Sequence, residues 1–381
     1  MTQRFDADPG ADPGANDGAW RSSGERRPSN DPVPRGGAGR SRARDADGSG
    51  VQGRDADGSD VQGRDGGELG TRSGERRPRR EHGGEDVQVP RADFRSYYGR
   101  PIVKTPVWRH DVPAYLFTGG LAAGSALLAA GADLTGRPRT RRAARLAALG
   151  ALGASTYFLI NDLGRPERFH HMLRVAKPTS PMSMGTWILS AFGGAAGLAA
   201  TTEARPRGFV GGAGRVAGLG AAALAPALAT YTGVLLADTA APSWHAARDD
   251  LPFAFAGSAL ASGAAVGLIA APTGEGGPAR TLAVAGVALE LAATHRIEHG
   301  LGLLSEPYRT GRAGRLLRAA RQLNLAGAAG ALLGRRSRLL SALSGAALLA
   351  GSLATRFGVF EAGMASTKDP KYVVEPQRAT P

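Results

Sequence analysis

The chain has 381 residues, no cysteine and a formal net charge of +14. Without a thiol it forms no disulfide, holds no cysteine-ligated zinc or iron–sulfur cluster and attaches no haem covalently, so any metal–sulfur chemistry belongs to a partner. The positive balance does not make it a nucleic-acid binder. Residues 1–111 hold 20 basic and 19 acidic side chains, which leaves +13 for the apolar remainder, as in the loops of a membrane protein.

Residues 1–95 are dominated by Asp, Gly, Arg, Ser and Pro, too poor in large apolar side chains to offset the entropy of ordering, and are expected to be a disordered extension. Arg44–Gly53 recurs as Arg54–Gly63 with one change, and SGERRP occurs at Ser23–Pro28 and Ser73–Pro78. Such a repeat has no apolar face to stack and is low complexity, not a solenoid. A juxtamembrane segment, 96–111, follows.

From residue 112 the pattern changes. Val112–Ala132, Pro178–Thr202, Val216–Ala237 and Leu251–Gly274 run 21, 25, 22 and 24 residues without a charge, each long enough for a helix of about 20 residues to cross a bilayer. Leu146–Asn161 extends back past Arg145, which can snorkel, and Leu339–Thr355 lies between Arg338 and Arg356. Thr281–His299 carries Glu290 near its middle, and Leu316–Gly334 has Arg318 and Arg321 in its first turns, so these two depend on neighbouring helices. Backbone groups in lipid must pair within the segment, so the expected fold is an all-α integral membrane bundle of eight transmembrane helices over 112–358, followed by a polar tail, 359–381. Gly120 with Gly124, Gly214 with Gly218 and Gly263 with Gly267 would let helices approach closely, though glycine is abundant here in any case. With eight spans, the loops 134–145, 203–215 and 334–338 share a side and carry five, three and three arginines, which favours the cytoplasm for them.

The most informative segment is Asn161–Trp187, NDLGRPERFHHMLRVAKPTSPMSMGTW. Phe169, Met172, Leu173 and Ala176 fall at i, i+3, i+4 and i+7, which predicts a short amphipathic helix in the membrane interface with Pro166 and Glu167 in its first turn. Ser180-Pro181 would open the next span with Ser183 one turn inside. Asp162, Arg165, Glu167 and Arg168 could form a charge cluster at the mouth of the bundle.

Trp108-Arg109-His110 followed by Pro113-Ala114-Tyr115-Leu116-Phe117 and Gly119–Ser125, then Asp162–Phe169, then Lys177–Ser183 and Gly185-Thr186-Trp187, resemble the membrane subunit of polysulfide reductase and its NrfD-like relatives. Tyr231-Thr232-Gly233-Val234-Leu235-Leu236 fits the same pattern, and the resemblance runs from about residue 97 to 365. It implies a quinone-reactive anchor in the cell membrane without haem. Such an anchor docks an iron–sulfur electron-transfer subunit, which serves a molybdopterin catalytic subunit such as polysulfide reductase or formate dehydrogenase. The chain alone would not be a complete enzyme.

A site for menaquinone or ubiquinone needs an apolar slot and hydrogen-bond partners at two carbonyl oxygens that also pass protons. In relatives the quinone lies near the outer end of the first helix, so the resemblance points to His110 and Tyr115 for the head group, with Trp108 as a wall. Asp162, set by the family motif against Arg165 and Arg168, and Ser183 are further candidates for cofactor binding. The plainer alternatives are a solvated His110 and interfacial belt aromatics at Trp108 and Tyr115. Trp244-His245 could close the mouth of the site, or Trp244 could be an ordinary interfacial loop residue.

Glu290 needs its own explanation, because an ionisable group near the bilayer midplane costs at least about 2.5 kcal/mol. With His295, Arg296, Glu298 and His299 it could form a proton relay; otherwise it is a structural pair with an arginine such as Arg356 or Arg321. The histidines are spaced i, i+4, but no other span has a central histidine to complete a haem site. A different class altogether, a secondary transporter or proton-conducting protein, would also suit a glycine-rich bundle with a midplane carboxylate.

Overall fold

The computed structural model describes residues 101–204 and 207–379. The extension 1–95 and the first part of the juxtamembrane segment lie outside the described residues. Among those described there is no strand. The helices are α1 (Asp111–Leu134), α2 (Pro138–Asn161), α3 (Pro181–Thr201), α4 (Gly208–Ala237), the short α5 (Pro242–Ala246), α6 (Leu251–Ala270), α7 (Gly277–Gly300), the short α8 (Glu306–Arg309), α9 (Gly311–Leu333), α10 (Arg338–Lys368) and α11 (Lys371–Ala379). A 3-10 helix, Pro166–Leu173, lies between α2 and α3.

Eight of these helices have 20 residues or more. Five, α1, α2, α4, α6 and α10, are long and apolar enough to cross a membrane. The protein is a multi-pass membrane protein. The charge-free stretch around α3 does not belong to the five, because serines, glycines and threonines dilute its hydropathy. Nor do α7, with Glu290, and α9, with its arginines. All three are nevertheless helices that pack on the five.

α1 and α6 form the centre. α1 packs on α2, α4 and α6, while α6 also packs on α7 and α10; α3 lies on α4, and α9 on α10. A helix contacted on all sides must be apolar on all sides, and Leu251, Phe255, Ala259 and Leu268 of α6 are all buried. The two central helices meet at glycine. A Cβ on Gly124 would lie 1.8 Å from the Ala259 carbonyl oxygen, and one on Gly263 would lie 2.1 Å from the Gly124 carbonyl carbon. Each glycine in the three pairs singled out by spacing would bring an added Cβ to 2.7 Å or less from a neighbour, so close approach, not mere abundance, accounts for them. Gly136, at φ +68°, makes the tight turn from α1 to α2, a conformation that costs other residues strain.

Three expectations change. Arg145 does not snorkel; it is 7 % exposed and turns inward to Glu203, 2.9 Å away, because two carboxylates lie at the ends of neighbouring helices. Arg356 does not end a span either. It is 1 % exposed, donates to the Phe255 carbonyl at 2.8 Å and sits 3.9 Å over the Phe255 ring, so α10 runs on. The stretch 359–381, expected as a polar tail, is largely helical: Val359, Phe360, Ala362 and Gly363 are buried, and α11 follows. Small residues on one face let this part of α10 pack where its overall composition reads as polar.

Candidate functional site

A cavity of about 550 Å³ opens between α3 and α4. Pro181, Met184 and Ile188 of α3 face Ala227, Thr230, Tyr231 and Val234 of α4, with Asp238, His245 and Arg248 completing the lining. On α4 these positions fall at i, i+3, i+4 and i+7, one face of the helix. Ser180 caps α3 by accepting from the Ser183 amide, and Pro181 takes the first turn, where its missing N–H costs nothing. Thr230 turns its hydroxyl back to the Pro226 carbonyl at 2.9 Å and is spent on its own helix.

Tyr231 is the distinctive group. Its ring packs against Gly185, where a Cβ would lie 2.3 Å from Cε2, so glycine at that position lets the ring lie where it does. The Tyr231 hydroxyl is buried and has no hydrogen-bond partner. A buried hydroxyl left unpaired costs about 1–3 kcal/mol, which a ligand oxygen would recover. His245 Nδ1 lies 3.1 Å from the Ala237 carbonyl oxygen. A carbonyl only accepts, so Nδ1 carries the hydrogen and a neutral ring keeps Nε2 as an acceptor. An apolar slot with a phenol, an imidazole and rim charges of both signs suits a planar ligand with carbonyl oxygens.

The residues singled out in the sequence are distributed differently. His110 is the exposed residue before α1 and makes no side-chain capping bond. Tyr115 is buried in the same apolar cluster as Tyr231 and Trp244, and Trp108 packs against that cluster. None of the three lines the cavity. Trp244 is no interfacial loop residue: it is fully buried in α5, donates from Nε1 to the Val359 carbonyl at 2.8 Å and stacks on Trp108 with ring centres 5.9 Å apart. Asp162 ends α2, and no ion pair joins it to Arg165 or Arg168, both of which are exposed. Burial first, and then the nearby Asp111 carboxylate, push its pKa up, while Arg109 opposes them. Ser183 accepts from the Lys177 amide at 3.0 Å and donates to the Val175 carbonyl at 2.9 Å, so it ties the preceding loop to α3. The amphipathic segment is helical but of the 3-10 type, in which residues three apart align; Phe169 and Leu173 are exposed.

Glu290 is 2 % exposed, and neither arginine considered for it forms an ion pair with it. Oε1 accepts from Asn324 Nδ2 at 2.9 Å and from the Thr355 hydroxyl, and Oε2 has no partner. Arg321 pairs instead with Glu298. A void of about 10 Å³ joins Glu290 and Thr355 to Thr294, Glu298 and Arg321. His295 and His299 stand on the exposed face of α7, with His299 Nδ1 2.9 Å from the His295 carbonyl.

The family model described as "Polysulphide reductase, NrfD" matches residues 102–277. Over this segment the chain is NrfD-like. No curated protein matches the chain. The NrfD-like segment takes in α1 to α6 and so contains the whole cavity, while Glu290 lies beyond it. Tyr231 and His245 were both visible in the sequence, one inside a family motif and one beside Trp244. What singles them out is a hydroxyl without a partner and a glycine opposite, and both depend on how α3 meets α4.

Proposed function

We propose that this protein is the membrane subunit of a polysulfide-reductase-like respiratory complex in the cell membrane. In this reading it binds menaquinone or ubiquinone in the cavity between α3 and α4. It exchanges electrons with a docked iron–sulfur subunit that serves a molybdopterin catalytic subunit. The observation that carries the reading is Tyr231, which lines an apolar slot of the NrfD-like segment and whose buried hydroxyl has no hydrogen-bond partner. A quinone supplies two-electron chemistry, with two protons exchanged at its carbonyl oxygens. Tyr231 donates to one such oxygen, and His245 Nε2 holds or releases a proton at the rim. Met184, Ile188 and Val234 exclude water from the slot.

Tyr231 and His245 thus take the head-group contacts first sought at His110 and Tyr115. Tyr115 backs the slot through the shared apolar cluster, and Trp108 does so through Trp244. His110, Asp162, Arg165 and Arg168 belong to the end of the bundle where α1 begins and α2 ends, a place for the partner to dock. Glu290 acts as a proton relay of the second half. This is supported by its neutral donors and by the void leading toward Glu298.

The test is quinol-linked electron transfer in the purified complex. Tyr231→Phe removes one hydrogen bond, and apparent quinone affinity should fall by roughly fivefold, about 1 kcal/mol, with assembly intact. Unchanged affinity in Tyr231→Phe together with unchanged inhibition by a naphthoquinone analogue rejects the cavity as the quinone site.

A further inference from the structure

A second, chemically different pocket lies where α1 and α3 end and α2 and α4 begin, at the opposite end of α4 from the quinone cavity. It has a volume of about 280 Å³, and Arg141, Arg145 and Arg215 converge on it with Asp133. Glu203 binds Arg141 Nε at 2.8 Å and Arg145 Nη1 at 2.9 Å, while Asp133 lies 3.0 Å from Arg141 Nη1 and 3.3 Å from Arg215 Nε. Three guanidinium groups against two carboxylates leave one positive charge over.

We propose that this pocket binds the phosphate group of an anionic membrane phospholipid. The first observation is Arg145. Its guanidinium is more than nine-tenths buried and lines the pocket, yet its Nε–H has no acceptor. The guanidinium packs on α4, where a Cβ on Gly218 would lie 2.7 Å from Nη2, and Nη1 is held by Glu203. A cation that is held inward with a donor to spare asks for an anionic oxygen.

The second observation is independent of the side chains. The 30-residue helix α4 starts here, and its first residue follows Arg207, which makes no side-chain capping bond. Gly208, Gly211 and Gly212 of its opening turns line the pocket, so the positive end of the helix dipole meets it without intervening side chains, with the Gly208 amide free while that of Gly211 donates to the Arg207 carbonyl.

The third concerns the source of the phosphate. Phe209, Val216 and Leu134, on the same helix ends, are 91 %, 72 % and 66 % exposed. In a bilayer such a collar meets acyl chains, so the phosphate it admits is carried by a lipid.

The experiment uses the full chain purified in detergent and transferred to nanodiscs of phosphatidylcholine with or without phosphatidylglycerol, with retained lipid counted by native mass spectrometry. Wild type should retain phosphatidylglycerol in preference to phosphatidylcholine. Arg215→Gln, at an exposed position, should lower that occupancy about tenfold. Gly212→Asp should do the same by placing a carboxylate in the pocket, whereas Gly212→Ala should behave as wild type, since a Cβ there meets nothing within 4 Å. Both positions are exposed, so the variants are expected to fold, and matching gel-filtration profiles would check this. No preference for the anionic lipid in wild type, or equal retention by Gly212→Asp, overturns the proposal. Binding of inorganic phosphate in lipid-free detergent with the same dependence on Arg215 overturns the lipid assignment and identifies a soluble anion as the ligand.

Discussion

Glu290 shows what a single residue can and cannot disclose. That a carboxyl sits in the middle of an apolar helix is plain from the sequence, and so is its need for partners. Their identity is not. Charge counting pairs it with an arginine, whereas the structure supplies an amide and a hydroxyl, Asn324 and Thr355, and engages Arg321 and Arg356 elsewhere. Because those donors need only an acceptor, Glu290→Gln should leave membrane abundance unchanged while slowing proton-coupled turnover; full turnover in that variant would remove the residue from any relay. Glu290→Leu is different. It leaves the Asn324 donor buried without its acceptor, at about 1–3 kcal/mol, whereas the Thr355 hydroxyl still has the Gly351 carbonyl at 3.1 Å, and it should lower abundance as well.

Among elements, the crossing of α1 and α6 is the tightest contact. Gly263→Ala forces a methyl group into the backbone of Gly124, and an overpacked core of this kind costs about 1–3 kcal/mol or more, read as a lower melting temperature in detergent. Gly194→Ala on α3, where an added Cβ meets nothing, should instead be neutral or stabilising by up to about 1 kcal/mol. The regular helices were legible because lipid enforces a long uncharged run. The spacing of Gly120, Gly124, Gly263 and Gly267 was also readable, though not which helix each would meet. Hidden were the 3-10 form of Pro166–Leu173, because apolar residues three and four apart do not separate a short 3-10 helix from an α-helical one, and the continuation of α10 past Arg356. An arginine that looks like the end of a span can be a core residue when an aromatic face and a carbonyl receive it.

At the scale of the whole molecule, Trp244 fastens the two halves of the chain. It belongs to α5, stacks on Trp108 ahead of α1, lies against Phe360 of α10 and fills the space left by Gly363, where a Cβ would come within 1.9 Å of it. Trp244→Ala should cost about 3–5 kcal/mol and sharply reduce the yield of folded protein, while Trp244→Phe should retain most of the packing and lose about 1 kcal/mol with the Val359 hydrogen bond; equal yields for the two variants would contradict this. The cavity between α3 and α4 was only half legible for a related reason. The family motif holds Tyr231, but a motif carries no information on which side chain remains unpaired once three distant segments close around it.

The 31 residues of α10 extend about 46 Å, against a hydrocarbon thickness of about 30 Å. Even the steepest inclination usual for such helices, about 40°, does not absorb the difference. One extremity of this rod therefore extends beyond the oily layer, packed on one face and open to water at positions such as Ala365 and Lys368. A protein with no native thiol thus offers a place there for a lone reporter group, from which the sidedness of that end can be read.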